Sequence, residues 1–273
     1  MGKLRRHARQ STVLGLLGGA AMLAVMIGAV PEHIRDFIDI PGLIVVIGGT
    51  LTATLICRPV ADVKRVLRRI PYLLQDAPPS ALPDMNHLLN IAEHYRHGNL
   101  RAAEDELAHI GHPFLHSGVQ LVLDRSPLPD LIKVLQWRIE AVRQAEANDA
   151  HILRTMAAFA PAFGMLGTLF GLVHMLHELG GSNLSGIGAA MGFALMTTLY
   201  GIVLANMFLK PLAMKMERRA QQMLAEMSVL QEGVLMLYER QHPMLIKETI
   251  AAFLTQHQSV LDHGRKSQLM NAA

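Results

Sequence analysis

Of 273 residues, one is a cysteine, Cys57. A lone thiol excludes an intrachain disulfide and any metal site built on several cysteines. Its place at the end of an apolar run reads as that of a small buried hydrophobe. Charge is also scarce. Asp, Glu, Lys and Arg make up 17% of the chain, against about a quarter in a typical soluble domain. No GxSxG, P-loop, GxGxxG or HExxH stands in a fitting context, so the common hydrolase, nucleotide and zinc-protease sites find no support, and no enzyme activity is expected. No alternating strand pattern of any length occurs either, which points to an all-α chain.

What is abundant is apolar: 51% of the residues. Four segments reach or approach the roughly 20 apolar residues that cross a bilayer: Thr12 to Val30, Ile40 to Cys57, about Met156 to Leu176, and about Leu184 to Leu209. The predicted layout is a short N-terminus (1–11), two transmembrane helices (12–57), a helical cytoplasmic domain (58–153), two more transmembrane helices (154–209) and a helical tail (210–273). The 19-residue first run exceeds the usual 7–15 of a signal-peptide core, so a retained helix is expected.

Basic residues set the orientation. Lys3, Arg5, Arg6 and Arg9 precede the first span; Arg58, Lys64, Arg65, Arg68 and Arg69 follow the second; Lys210, Lys215, Arg218 and Arg219 follow the fourth. Both termini and the large domain are therefore expected on the cytoplasmic side of the membrane. The net charge of +3 then calls for anionic lipid rather than nucleic acid as its partner.

Inside the soluble parts, "DMNHLLNIAEHYRHGNLRAAEDELAHI" predicts two amphipathic helices broken at Gly98 and Asn99. A further helix is predicted from about Leu128 to Asn148, running on towards the third span, and a long one beyond Pro211 that stops at Pro243 and then resumes. The run "HIGHPFLH" holds His109, His112 and His116, but Pro113 interrupts helical spacing and no acid lies within it. Solvated or capping histidines fit it better than a metal site.

The spans carry small residues and hydroxyls instead of charge. Gly15 and Gly19, Gly167 and Gly171, and Gly188 and Gly192 form G-x-x-x-G pairs, which allow helix backbones to approach closely in lipid. Pro161 breaks one backbone hydrogen bond in the third span, and Thr168 lies two turns on, on nearly the same face. Thr168 has two readings: a bond back to the carbonyl of Gly164, or, with Thr197 and Thr198 of the fourth span, the lining of a passage. No span holds an ionisable residue near its centre. An ion path would need a carboxylate from another chain.

The stretches "FIDIPGLIVVIGGTLTATL", "AAFAPAFGMLGTLFGLVHML", "IGAAMGFALMTTLYGIVLANMFLKPLAMKM" and "GVLMLYERQHPMLIKETIAAFL" resemble, in order and over almost the whole chain, the MotA/PomA subunits of bacterial flagellar stators. The resemblance implies a pentamer around two MotB/PomB-type subunits, whose single membrane helix supplies the ion-binding Asp. It implies that proton or sodium flow drives rotation against the rotor protein FliG. No cofactor is implied beyond the transported H+ or Na+. Residue by residue, Pro161 matches the proline of the third span, Pro211 the one that ends the fourth, and Thr198 its pore-facing threonine. Thr168 falls where sodium-type members tend to carry threonine. Arg96 and Glu104 match the rotor-facing basic and acidic positions by their spacing, with Arg101, Asp105 and Glu106 as alternatives. Related ExbB/TolQ-type energising units and a non-conducting membrane scaffold are the rival readings.

Overall fold

The computed structural model describes Gly18, Ala21 and residues 39–73, 84–180 and 184–252. Apart from Gly18 and Ala21, the first span lies outside the described residues, as do the C-terminal 21 residues, 253–273, so the expectation of a helix over the whole of Thr12 to Val30 is not addressed. Among the described residues the chain is helical and has no strand. Three helices are long and apolar enough to cross a membrane, beginning at Ile40, Leu128 and Leu184.

The helices are α1 (Ile40–Cys57), α2 (Val60–Leu73), α3 (Met85–Arg96), α4 (Leu100–Leu107), α5 (Pro113–Leu123), α6 (Leu128–Gly180), α7 (Leu184–Val203), a π-helical turn (Leu204–Leu209) and α8 (Lys210–Tyr238). A last helix, α9, covers 243–252. The chain forms two compact units. One contains residues 1–77 and 146–218, the other 78–145 and 219–273.

In the membrane-type unit, α1 starts on a capped end. Asp39 accepts a hydrogen bond from the Gly42 N–H at 3.1 Å, and Pro41 stands in the first turn, where its missing N–H costs nothing. Thr50 and Thr54 are buried, and their hydroxyls donate to the carbonyls of Val46 and Thr50 at 2.6 and 2.7 Å, so neither is left unpaired in an apolar setting. At the other end Cys57 is exposed in this chain. That corrects the expectation of a buried thiol: Cys57 shares the helical phase of the packed face through Val46, Thr50 and Thr54, but it is the last residue of α1.

The second unit has its own core, built from Leu88, Ile91, Phe114, Leu115, Leu131, Leu135, Leu230, Leu237, Ile246 and Ile250 among others. Its α3–α4 joint follows the expected break. Gly98 takes φ +77°, a left-handed conformation that glycine adopts without strain, and Asn99 caps α4 by accepting from Ala102 N–H. Pro113 opens α5 rather than interrupting a helix.

One sequence expectation is overturned near Pro211. The helix does not end there: α8 runs through it to Tyr238. A proline ring crowds the carbonyl four residues before it and offers no N–H. The π turn at Leu204–Leu209 directly upstream widens the ladder, with the Lys210 N–H bonding to the Ala205 carbonyl, and the chain continues.

Candidate ion-pathway seam

Helices α6 and α7 run antiparallel and almost touch. A Cβ placed on Gly201 would lie 2.7 Å from the Ala160 carbonyl oxygen and 3.2 Å from Pro161 Cα. On Gly164 it would lie 2.8 Å from the Thr197 carbonyl oxygen, and on Gly171 it would lie 2.7 Å from Ala194 Cβ. The seam thus pairs Ala160, Gly164, Gly167 and Gly171 with Gly201, Thr197, Ala194 and Ala190, all buried. Small residues at this spacing remove the side chains that would hold two backbones apart. Gly167 and Gly171 behave as their pattern predicts. Gly188 and Gly192 do not: nothing in the described chain lies within 4 Å of a Cβ on either, because both turn away from this seam.

Thr197 sits inside the seam, fully buried, with its hydroxyl donated to the Ala194 carbonyl at 2.9 Å. Its methyl also comes within 3.0 Å of a Cβ built on Gly42 of α1. Thr168 and Thr198 are half-buried. The Thr168 hydroxyl donates to the Met165 carbonyl at 2.6 Å, three residues back, rather than to Gly164 as the backbone-bonded reading expected.

Helix phase places these hydroxyls. Each of the two threonines follows a seam residue by one position, Gly167 on α6 and Thr197 on α7, and each step turns the side chain by about 100°. In antiparallel helices the two turns lead to the same edge of the seam. Pro161, seven residues before Thr168, falls on that edge too. Helix α1 covers the other edge: Phe163 would collide with a Cβ on Gly49, and the Tyr200 hydroxyl accepts the Asp39 N–H at 2.8 Å. The described chain therefore leaves open the edge that carries Thr168 and Thr198. No Asp, Glu, Lys or Arg occurs in α1, in residues 155–177 of α6, or in 184–209.

Charge appears beyond the Ala160 end of the seam. Asp149 is buried, with its side chain 1% exposed, and is held by Arg65 at 2.8 Å and Arg69 at 2.5 Å. Arg69 also pairs with Glu146 at 2.6 Å. The hydrogen bond to Asp149 raises the Arg65 pKa above its ordinary value; for Arg69, burial pulls down but the bonds to Glu146 and Asp149 outweigh it. Neither guanidinium titrates in any cellular range. These pairs were not legible beforehand, since 77 or more residues separate the partners.

In the second unit, Arg96 ends α3 and Glu104 lies on α4, both exposed. Arg96 borders an open groove with Glu93, His97, His242, Pro243 and Met244. Arg101 and Asp105 are exposed as well. Glu106 is engaged within the unit, accepting from Asn90 at 2.9 Å and pairing with His87 at 2.7 Å. Those two bonds, Asn90 first, hold its carboxyl below the usual glutamate range. His109 stacks on His87 at 5.7 Å, and the His112 N–H donates to Asp84 at 2.7 Å. Among the described residues no His, Cys, Asp and Glu group could hold a metal ion.

Residues 106–229 match the MotA/TolQ/ExbB proton channel family. Motility protein A of Cereibacter sphaeroides is 31% identical over 212 residues, covering 76% of this chain and 80% of that protein. The chain belongs to the motility protein A family. Within that family, chemotaxis protein PomA of Vibrio alginolyticus is 28% identical over 257 residues, 92% of this chain and 98% of its own length. The fold agrees with that of the flagellar MotAB stator complex from Bacillus subtilis, at TM-score 0.79 and 22% identity over 91% of this chain and 97% of that one. This is a family of membrane-embedded channel and motor subunits, and motility protein A is its flagellar branch, so the energising-unit and scaffold readings lose to the stator reading.

Proposed function

We propose that this motility protein A family member is the multi-pass half of a flagellar stator, with four membrane spans, both termini cytoplasmic, seated in the bacterial inner membrane. Five copies would surround a MotB/PomB-type partner, whose membrane Asp meets H+ or Na+ beside Thr168 and Thr198. Pro161 and Pro211 would loosen the helices that shift as the ion passes. Arg96 and Glu104 would carry the resulting motion to FliG.

The observation that carries this reading is the open edge of the α6–α7 seam. It presents two hydroxyls and a proline where α1 does not cover it, in stretches, 155–177 and 184–209, without a single carboxylate. A threonine oxygen can replace part of an ion's hydration shell without trapping the ion, while bare spans offer no compensating charge. The two halves of a conducting site are thereby divided between two chains. Thr197 takes part from within: it sets the distance between the helices rather than facing the ion.

Reconstitution tests the division. Vesicles holding this protein alone should pass neither H+ nor Na+, and vesicles holding it with its partner, freed of any plug, should pass one of them. Flux from this chain alone, or a partner helix whose central Asp can be replaced by Asn without loss of flux, overturns the proposal.

A further inference from the structure

The edge of the seam that carries Thr168 and Thr198 continues beyond the Ala160 end, and Asn206 and Lys210 lie on it. The buried column of α7 and α8 runs through Thr197, Gly201, Ala205, Leu209 and Ala213. Each four-residue step drifts by about 40° in an ordinary helix, and the wider π turn gives back part of that drift. The residues that follow the column by one position, Thr198, Ile202, Asn206, Lys210 and Met214, therefore turn to one common side. Ile202 and Met214 are 49% and 63% exposed there, and Asn206 and Lys210 are exposed as well. On the other side of the column, Leu204 and Leu212 pack, as does Leu51 of α1, against the core around Val66 and Leu153. The covered edge and the threonine edge thus stay separate down to α8.

Two cations end this edge, and they are not alike. Arg154 stands on α6 seven residues before Pro161, close to its phase, and donates two hydrogen bonds to Glu217, at 2.5 and 2.7 Å. Its charge is matched. Lys210 is the first charged residue after the uncharged stretch 184–209, and its ammonium donates to Asn206 Oδ1 at 2.7 Å. The Asn206 amide is itself anchored, donating to the Ile202 carbonyl at 3.1 Å. No carboxylate among the described residues meets Lys210. A neutral oxygen thus fixes the lysine in place without cancelling it. From Thr198 to Asn206, where the ammonium is held, the helix rises about 12 Å.

We infer that Lys210, positioned by Asn206, is an electrostatic guard at the mouth of the ion path, which keeps the bulk cations of its own face from entering the threonine edge and blocking it. A fixed positive charge at a mouth repels any cation that approaches past it. At about 12 Å and an effective dielectric near 20, each charge on that cation changes its occupancy about tenfold. The exclusion therefore grows with charge: a divalent cation such as Mg2+ is held off about a hundredfold, and the single charge of H+ or Na+ far less. Lys210 acts on ions through its field, without coordinating them. The inference rests on the stator reading proposed above, so its test separates flux from block.

The test uses inside-out membrane vesicles holding the complex with its partner, freed of any plug, so that the Lys210 face meets the added solution. H+ and Na+ flux is followed while tetramethylammonium or Mg2+ is titrated in at low salt. Lys210→Gln should lower the half-blocking concentration about tenfold for tetramethylammonium and about a hundredfold for Mg2+. Lys210→Arg, which keeps the charge, should match the wild type. Asn206→Ala, which releases the ammonium, should give part of the Lys210→Gln effect. In right-side-out vesicles the same cations, added to the opposite face, should act equally on all four proteins. Co-purification of the partner confirms that each variant is assembled. Dependence on blocker charge is the readout that a packing role for Lys210 would not produce. Flux with unchanged block in Lys210→Gln, or equal shifts for the two cations, overturns this inference alone. Absence of flux from the assembled wild-type complex overturns the stator reading, and this inference with it.

Discussion

Gly167 and Thr197 meet across the α6–α7 seam so closely that a Cβ on the glycine would lie 2.5 Å from the Cβ of the threonine. Real Cβ atoms do not approach to that distance, so the helices must separate if either position grows. Gly167→Ala should cost about 1–3 kcal/mol, the usual range for an overfilled interior, read as a lower unfolding temperature of the purified protein. Because the clash is with the Thr197 Cβ itself, Thr197→Ala should not relieve it, whereas Thr197→Gly should restore part of the loss. Gly192→Ala, which meets nothing among the described residues, serves as the control for monomer stability. Wild-type stability of Gly167→Ala would mean that the seam is looser than described.

The edge occupied by Thr168 and Thr198 should be sensitive to chemistry and not to volume. Thr198→Ala should abolish or sharply reduce swimming with assembly intact, and Thr198→Ser, which keeps the oxygen, should retain much of it. Thr168→Ala should hurt more if sodium is the coupling ion, since a proton passes along water without direct coordination. Swimming speed against sodium concentration at fixed pH, with co-purification of the partner as the assembly check, decides this. Undiminished speed for Thr198→Ala returns both threonines to packing.

Asp149 accepts from two guanidinium groups while it is itself buried. Asp149→Asn should destabilise the protein by about 1.5–3 kcal/mol, the scale of a hydrogen bond to a charged group. The loss should be small if Arg65 and Arg69 have already been replaced by Gln, because their coupling is then absent. A double-mutant cycle by thermal unfolding in detergent measures it, and additive losses would show that the clasp is not a unit.

Acid should loosen the α3–α4 pair through Glu106. Its carboxyl is held below the ordinary value of 4.5 by Asn90 and His87. A depressed carboxylate adds stability that is present above the unfolded-state pKa and lost as pH falls through the lowered folded-state one. Thermal unfolding followed from pH 6 to pH 3 should therefore steepen below about pH 4.5 more for wild type than for Glu106→Gln. Parallel curves for the two proteins would remove Glu106 from the acid response.

For Arg96 and Glu104, exposure limits what single contacts can contribute. An exposed ion pair with the rotor is worth about 0–1 kcal/mol, so neutralising either residue should slow swimming mildly and reversing both should slow it more, by repulsion. Recovery of a reversed Arg96 by a reversed rotor residue would establish contact. Full motility after reversal of both would remove them from the interface.

Much of this fold could be read from residue order. The break at Gly98 and Asn99 and the long passage from Leu128 into the third span both rest on local chemistry: a left-handed turn and an uninterrupted helical period. The described spans followed from length and lack of charge. What stayed hidden depends on phase and on distance along the chain. Thr197 and Thr198 carry the same hydroxyl, and only their angle to a seam of small residues puts one inside it and the other at its edge. The Gly188 and Gly192 pair has the same spacing as Gly167 and Gly171, but spacing alone does not say which side a helix turns to its neighbour. Glu106 has its partners on another helix, at His87 and Asn90, so a search for acids within the histidine run could not find it. Pro211 was misread as a terminus because the turn that accommodates it has no residue signature of its own.

That turn gives the chain a property that side-chain substitutions do not reach. Where Leu204–Leu209 passes through a π turn, the residues on its two sides are out of step with a single α-helical wheel. Removing one residue there would let an ordinary ladder form, the turn giving up its extra residue while the side chains from Lys210 to Arg218 keep roughly their directions. Pro211, deprived of the widened turn, would then meet a carbonyl it cannot clear. The room that Pro211 needs is thus stored in chain length, and a one-residue deletion is the mutation that would take it away.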